Sequence, residues 1–236
     1  ALRLGHGGLP ARDPAFLEGR FTVQDEASQL VVELLAPRPG ERVLDACAAP
    51  GTKATAIAER VGPGGEVVAL DRSPSRLRLV GRDARRLGLA NVTTHRLDAS
   101  QPLPDLGGPF DRVLVDAPCS GLGTLRRNPD ARWRLRPEDV PRLAETQLAI
   151  LRRAASALRP GGALVYSTCT LLPEENERVV AAFLEGAREF RPARRAAIPA
   201  AVRAVLGEDG WMRTFPHRHD TDGFFAARLE RVERRP

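Results

Sequence analysis

The chain has 236 residues, 42% hydrophobic and 28% charged, which is enough apolar material to bury the core of one domain. Its longest apolar runs, such as 161–165 and 196–206, are too short or too interrupted to cross a bilayer, and no secretory leader pattern opens it, so no membrane or exported protein is expected. A net charge of +6 and a pI of 10.3 permit a polyanionic partner without demanding one.

Residues 5–14 read as irregular and 24–35 as helical, so 1–40 are expected to form a cap, or the stub of a preceding region, ahead of a main domain at 41–236. From there, short β-branched runs at 42–46, 66–70, 92–97, 112–115 and 163–167 alternate with helical patterns at 52–61, 73–87 and 140–158. In the last of these, Leu148, Leu151 and Leu158 repeat at helical spacing. The gap 98–110 is too short and too rich in proline and glycine for a helix. Residues 175–187 read as a further helix, and 223–229 as a late strand after an Arg- and Ala-rich stretch. Strands alternating with helices predict an open, doubly wound α/β sheet.

In such sheets a ligand binds beyond the carboxyl ends of the strands. Four of the five predicted strands end in, or just before, an aspartate: Asp45, Asp71, Asp98 and Asp116. One such residue is explained by helix capping, but four gathered together repel unless a cationic or hydroxyl-rich ligand sits among them. The first loop, Asp45-Ala-Cys-Ala-Ala-Pro-Gly-Thr-Lys53, stands where a dinucleotide fold carries Gly-x-Gly-x-x-Gly, yet it has a single glycine and Pro50. That weakens the case for a pyrophosphate, while the helix near Thr52 still offers free amides to a carboxylate. Asp71, at the end of the second strand, suits the two hydroxyls of a ribose. An adenosine bearing a carboxylate and no phosphate describes S-adenosylmethionine. Lys53 is the sole lysine among 36 cationic residues, so a compact ammonium is expected to have a job there.

Three cysteines cannot build a disulfide framework, and Cys47, Cys119 and Cys169 lack zinc spacing, so a reducing cytoplasm is the expected compartment. Taken alone, each reads as a small buried hydrophobe. Cys119 and Cys169, however, follow the fourth and fifth strands, in Asp116-Ala-Pro-Cys119 and Tyr166-Ser-Thr-Cys-Thr170, where both can face one pocket. Carbon 5 of cytosine is a poor nucleophile; a thiolate adding to carbon 6 makes it enamine-like and able to attack a methyl sulfonium. That chemistry needs a thiolate, a group near the ring nitrogen and exocyclic amine, and help for the departing thiol. Cys169, Asp116 and Cys119 are the candidates. Amino-group methyltransferases need no thiol and place Pro-Pro-aromatic after the fourth strand, where this chain has Pro118-Cys119.

These segments resemble the RNA 5-methylcytosine methyltransferases of the superfamily that includes the bacterial Sun (ribosomal small-subunit methyltransferase B) and nucleolar Nop2 proteins. The match runs from Phe21-Thr-Val-Gln-Asp-Glu-Ala-Ser28 through the 47–53 loop, Asp116 to Gly121, Ser167 to Thr170 and Glu174-Glu-Asn-Glu177 to Asp222-Gly-Phe-Phe-Ala-Ala-Arg228. The resemblance implies a Rossmann-like class I methyltransferase fold in which Cys169 makes the covalent bond and Cys119 assists release. DNA cytosine methyltransferases use the Pro-Cys thiol instead, so this assignment points to RNA, with 16S ribosomal RNA as the expected substrate. Carried over as cofactor residues are Cys47, Ala48, Ala49, Pro50, Gly51, Thr52, Lys53, Asp71, Arg76, Asp98 and Asp116; Lys53 and Asp116 also meet the base. Cys47 is expected to pack or make a backbone contact. Thr52 departs from the family, many members of which have a second glycine there.

Bacterial members commonly carry an all-helical, NusB-like RNA-binding domain before the catalytic one; this sequence starts at Ala1 without an initiator methionine or such a domain, so either a fragment or a short enzyme that finds its RNA differently is expected, and target choice is the open expectation. Arg126-Arg-Asn-Pro-Asp130 with Trp133 reads as an RNA-facing surface, or else as a solvated loop with a packed tryptophan. His217 and His219 are expected to meet solvent or phosphate and not a metal. No protein partner is implied, and a monomer is expected. Competing readings are a tRNA cytosine methyltransferase, a nicotinamide-dependent dehydrogenase, against which the missing glycine fingerprint counts, and a non-catalytic RNA-binding module, which has no reason to keep Lys53, Asp116, Cys119 and Cys169 together.

Overall fold

A computed structural model of the chain describes residues 10–233; of the stretch expected to be irregular, residues 5–9 lie outside the described residues. A short 3-10 turn at Pro10–Arg12 leads into α1 (Pro14–Leu17) and then α2 (Glu26–Leu35). The core alternates β1 (Arg42–Asp45), α3 (Thr52–Val61), β2 (Glu66–Asp71), α4 (Pro74–Arg86), β3 (Val92–Arg96) and β4 (Phe110–Asp116). It continues through α5 (Ala131–Arg134), α6 (Asp139–Ser156), β5 (Leu158–Thr168), α7 (Glu177–Gly186), β6 (Phe190–Pro192), β7 (Met212–Thr214), α8 (Pro216–His219) and β8 (Phe224–Arg231).

The strands form one sheet in the order β3-β2-β1-β4-β5-β8-β6, with β7 also paired to β8. β1 to β5 are mutually parallel, and β8 runs antiparallel to β5, β6 and β7. Alternation along each strand splits its buried side chains between two cores, as a period of two requires. Val43, Val67, Ala69, Leu114 and Val165 face α2, α3 and α4, whereas Leu44, Val68, Leu70, Val113, Val115 and Tyr166 face α6 and α7. Truncating one such leucine to alanine costs roughly 2–5 kcal/mol.

Helix starts follow their local chemistry. Asp25 caps α2 by accepting the Ala27 amide, and Ser73 caps α4, whose first residue is Pro74. Helix α2 precedes residue 41, yet Ala27, Val31, Val32, Leu34 and Leu35 are fully buried in the first core, so this part of the expected cap is a layer of the sheet's own packing. Two buried arginines secure its end: Arg228 Nη1 donates to Leu34 O at 2.8 Å and Arg112 Nη1 to Leu35 O at 2.7 Å.

The structure corrects several expectations. Leu158, counted with the helical repeat, is the first residue of β5, because it pairs with Phe110 across the sheet. Helix α7 starts at Glu177 and leaves Glu175 and Asn176 in the preceding loop. The single late antiparallel strand has two further partners, β6 and β7, each of three residues. Among the described residues no helix is long and apolar enough to cross a membrane.

Candidate active site

The strand order reverses between β1 and β4, the place where open sheets of this kind leave a crevice. Asp45 ends β1 there, 1% exposed, and its Oδ2 has no hydrogen-bond partner among the described residues. Burial, then the neighbouring Asp116 charge, raise its pKa to about 7 against the pull of Lys53. Sequence reasoning had placed Asp45 on the ligand edge without giving it a role, because a lone strand-end aspartate carries no sign of its burial.

The segment Cys47, Ala48, Ala49, Pro50 and Gly51 then turns into α3 at Thr52. Gly51 has φ +118°, and a Cβ on it would stand 2.9 Å from Val80 Cα, so the turn needs glycine for both conformation and space. No side chain caps α3, which leaves its first amides available to an anion. Arg76 Nη2 donates to Ala49 O at 2.7 Å and braces the loop from α4. Asp71 is buried, with Oδ1 accepting the Ser73 amide at 2.8 Å. Asp98 is exposed, and its hydrogen bonds from Ser100 hold its carboxyl below the usual range. Cys47 is pushed well above an ordinary thiol by burial and then by the surrounding aspartates, chiefly Asp45.

Lys53, in the first turn of α3, is 9% exposed and reaches across to β4, its Nζ 2.7 Å from Asp116 Oδ2. Ser167 Oγ donates to Asp116 Oδ1 at 2.8 Å, so both carboxylate oxygens are held. The Lys53 ammonium also lies 5.2 Å from the centre of the Phe224 ring.

Cys119 and Cys169 meet beside this pair with their sulfurs 3.4 Å apart. The bond between the thiols separates their acidities. Cys169 is lowered by its hydrogen bond with Cys119, with further help from Lys53, against burial and the Asp116 charge. Cys119 is raised by the same bond, then by burial, with the Glu175 charge adding to it. Both directions favour negative charge on Cys169 over Cys119. Backbone contacts fix the loops that carry them: Gly123 N donates to Cys169 O at 2.9 Å and Gly223 N to Gly123 O at 2.8 Å. A Cβ on Gly123 would lie 1.9 Å from Gly223 O, so the approach is closed to any other residue.

A cleft of about 640 Å³, the size of a small-molecule site, opens from Cys119 and Ser120 along Arg127, Asn128 and the first turns of α6. The 126–133 motif is divided. Arg126 pairs with Asp220 at 2.7 Å, and Arg127 pairs with Asp25 and, at 3.3 Å, with Asp222, so these guanidiniums are tied to the chain's own carboxylates and do not stand free. Trp133 is 78% exposed and unpacked, with Arg132 5.0 Å from its ring. His219 accepts the Phe215 amide at 2.9 Å through Nδ1. Among the described residues no group of three or more metal-ligating side chains assembles.

Sequence reasoning missed the half-buried Ser120 and the buried Gln147, Tyr166 and Glu175 behind the cysteines. Glu175 lies within the Glu174-Glu-Asn-Glu177 motif, but nothing local tells that it faces Ser120, 55 residues away.

The sequence matches the family described as 16S rRNA methyltransferase RsmB/F over residues 32–230. It is 42% identical over 237 residues to the probable ribosomal RNA small subunit methyltransferase B of Synechocystis sp., covering 98% of this chain and 52% of that protein. It is 41% identical over 217 residues to the ribosomal RNA small subunit methyltransferase B of Shewanella oneidensis, covering 92% of this chain and 49% of that protein. The chain thus spans about half the length of the curated relatives it matches. Among solved structures, NSun6 from Pyrococcus horikoshii with SFG superposes with a TM-score of 0.84 at 35% identity, over 97% of this chain and 57% of that one.

Proposed function

The chain belongs to the 16S rRNA methyltransferase RsmB/F family, and from that premise we propose that it transfers a methyl group from S-adenosylmethionine to carbon 5 of a cytosine in small-subunit ribosomal RNA, with Cys169 as covalent nucleophile. The observation that carries this reading is the thiol pair, 3.4 Å apart, set against the Lys53–Asp116 ion pair. A methyltransferase acting on an exocyclic amine or a hydroxyl has no use for two neighbouring thiols of unequal acidity.

The cofactor residues fit that group. The orphaned Oδ2 of Asp45 suits an ammonium, the uncapped start of α3 a carboxylate, and Asp71 a ribose. The NSun6 structure holds SFG, an analogue of S-adenosylmethionine. When bound, S-adenosylmethionine supplies an electrophilic methyl group. Cys47 to Lys53, Asp71 and Asp116 would hold it, Arg76 braces the Ala49 carbonyl beside it, and Asp98 would serve the adenosine side.

The Cys169 thiolate adds to carbon 6 of the cytosine, and the displaced electron pair makes carbon 5 nucleophilic. Asp116, held by Lys53 and Ser167, accepts from the base's amine. After methylation, the carbon 5 proton passes to solvent, its electron pair returns to the ring and Cys169 is expelled as thiolate. Cys119, hydrogen-bonded to the departing sulfur, assists this step.

The reading is tested by incubating the protein with methyl-labelled S-adenosylmethionine and 16S rRNA, then digesting the RNA to nucleosides. Label in 5-methylcytidine is expected, and label in any other nucleoside contradicts it.

A further inference from the structure

Behind the two thiols lies a buried carboxylate that the chemistry above does not use. Glu175 is fully buried in the loop before α7. Its Oε2 accepts the Ser120 amide at 2.8 Å and Gln147 Nε2 at 2.9 Å, and its Oε1 accepts the Ser120 hydroxyl. The oxygen of Ser120 is also hydrogen-bonded to Thr170 Oγ1 at 2.8 Å. Ser120 directly follows Cys119, and Thr170 directly follows Cys169. Glu175 therefore binds the loop of one cysteine and, through one hydroxyl, the loop of the other.

The carboxylate is itself over-determined. Gln147 on α6 donates to both Glu175 and the Pro118 carbonyl, at 3.0 Å, and the Tyr166 hydroxyl donates to Glu175 O at 2.6 Å while lying 3.2 Å from Gln147 Oε1. A buried carboxylate without such donors is costly. Here three donors converge on it, the Ser120 amide, the Ser120 hydroxyl and Gln147 Nε2, and each belongs to the Pro-Cys loop or is tied to it. Helix packing alone does not need a charge at this place, since an apolar side chain fills the same volume at lower cost.

We propose that Glu175 is a positioning residue that assigns the two thiols their separate jobs: it locks Ser120 and Thr170 so that Cys119 donates to Cys169, and it sets a buried negative charge on the Cys119 side. Thiolate is thereby kept on Cys169. The idea rests on the cysteine-based reading above, but it can be tested without RNA or cofactor.

The test is the pH dependence of alkylation by iodoacetamide, with the modified cysteine identified by peptide mass, in the wild type, Glu175→Gln and Ser120→Ala. In the wild type, Cys169 is expected to react first, below the pH range of an ordinary thiol of pKa about 8.5. In Glu175→Gln the Cys169 profile should move up by about one pH unit, and Cys119 should take a larger share of the label. Ser120→Ala keeps the amide bond to Glu175 and removes only the hydroxyl link, so a smaller shift in the same direction is expected. It also decides the matter if Glu175→Gln fails to fold. Unchanged profiles and unchanged labelling order in the folded variants would overturn the proposal. That result would leave the methylation reading standing, whereas absence of 5-methylcytidine from a wild type with the expected alkylation order would remove the methylation reading alone.

Discussion

Asp45 and Lys53 stand at the two ends of the first loop of the sheet, the carboxylate 1% and the ammonium-bearing residue 9% exposed, and the positive charge of Lys53 does not outweigh the burial of Asp45. The pKa of Asp45 stands at about 7 against an ordinary 3.8. Because the folded value lies above the unfolded one, the stability it contributes is complete below the unfolded value and is lost as pH rises through the folded one.

The cofactor-free protein should therefore lose stability between about pH 4 and pH 7 through this group, with an upper bound on the order of 4 kcal/mol. Asp45→Asn should flatten that dependence and be the more stable protein at pH 8 in urea titrations. It should also bind S-adenosylmethionine roughly 10-fold to 100-fold more weakly, for want of a charged partner to the ammonium. Equal pH dependence in both proteins would mean that Asp45 does not titrate in this range.

Lys53→Met should affect both stability and reactivity. Removing the ammonium leaves Asp116 short of its partner at 2.7 Å, at a cost of about 1–3 kcal/mol, since Asp116 retains some solvent. Cys169, which owes part of its low pKa to this charge after the larger effect of Cys119, should alkylate at higher pH. A folded Lys53→Met protein with an unshifted Cys169 profile would separate the ion pair from the thiol.

The 126–133 motif should divide on mutation as it does in the structure. Trp133, at 78% exposure, can stack a base, so Trp133→Ala should weaken RNA binding by roughly 1–3 kcal/mol in fluorescence anisotropy while leaving the melting curve unchanged. Arg127→Ala releases Asp25 and Asp222, and should instead lower stability. RNA affinity insensitive to Trp133→Ala would take the tryptophan off the RNA path.

The five parallel strands and the helices between them are legible because each carries its own signal, a β-branched run in the strands and a helical pattern in the stretches between them. β6 and β7 carry none. They are three residues long, one of them includes Pro192, and they are strands because β8 lies beside them. Leu158 fits a helical repeat as well as a strand, and pairing with Phe110 decides it. The site shows the same division. The first loop, the strand-end aspartates and both cysteines could be placed at the sheet edge from their positions in the chain, since each lies at or after the end of a strand. The ties of Arg127 to Asp25 and Asp222, and of Glu175 to Ser120, join segments far apart in sequence, and no local pattern records them.

The separate roles of the two cysteines are tested most directly by trapping. When Cys119→Ala, Cys169→Ala and the double variant are incubated with RNA and S-adenosylmethionine and resolved by denaturing electrophoresis, Cys119→Ala should accumulate a protein–RNA adduct. Its bond is made by Cys169 and its release is slow. Cys169→Ala and the double variant should show no adduct. An adduct that appears in Cys169→Ala and vanishes when Cys119 is also removed would contradict the account and make Cys119 the nucleophile.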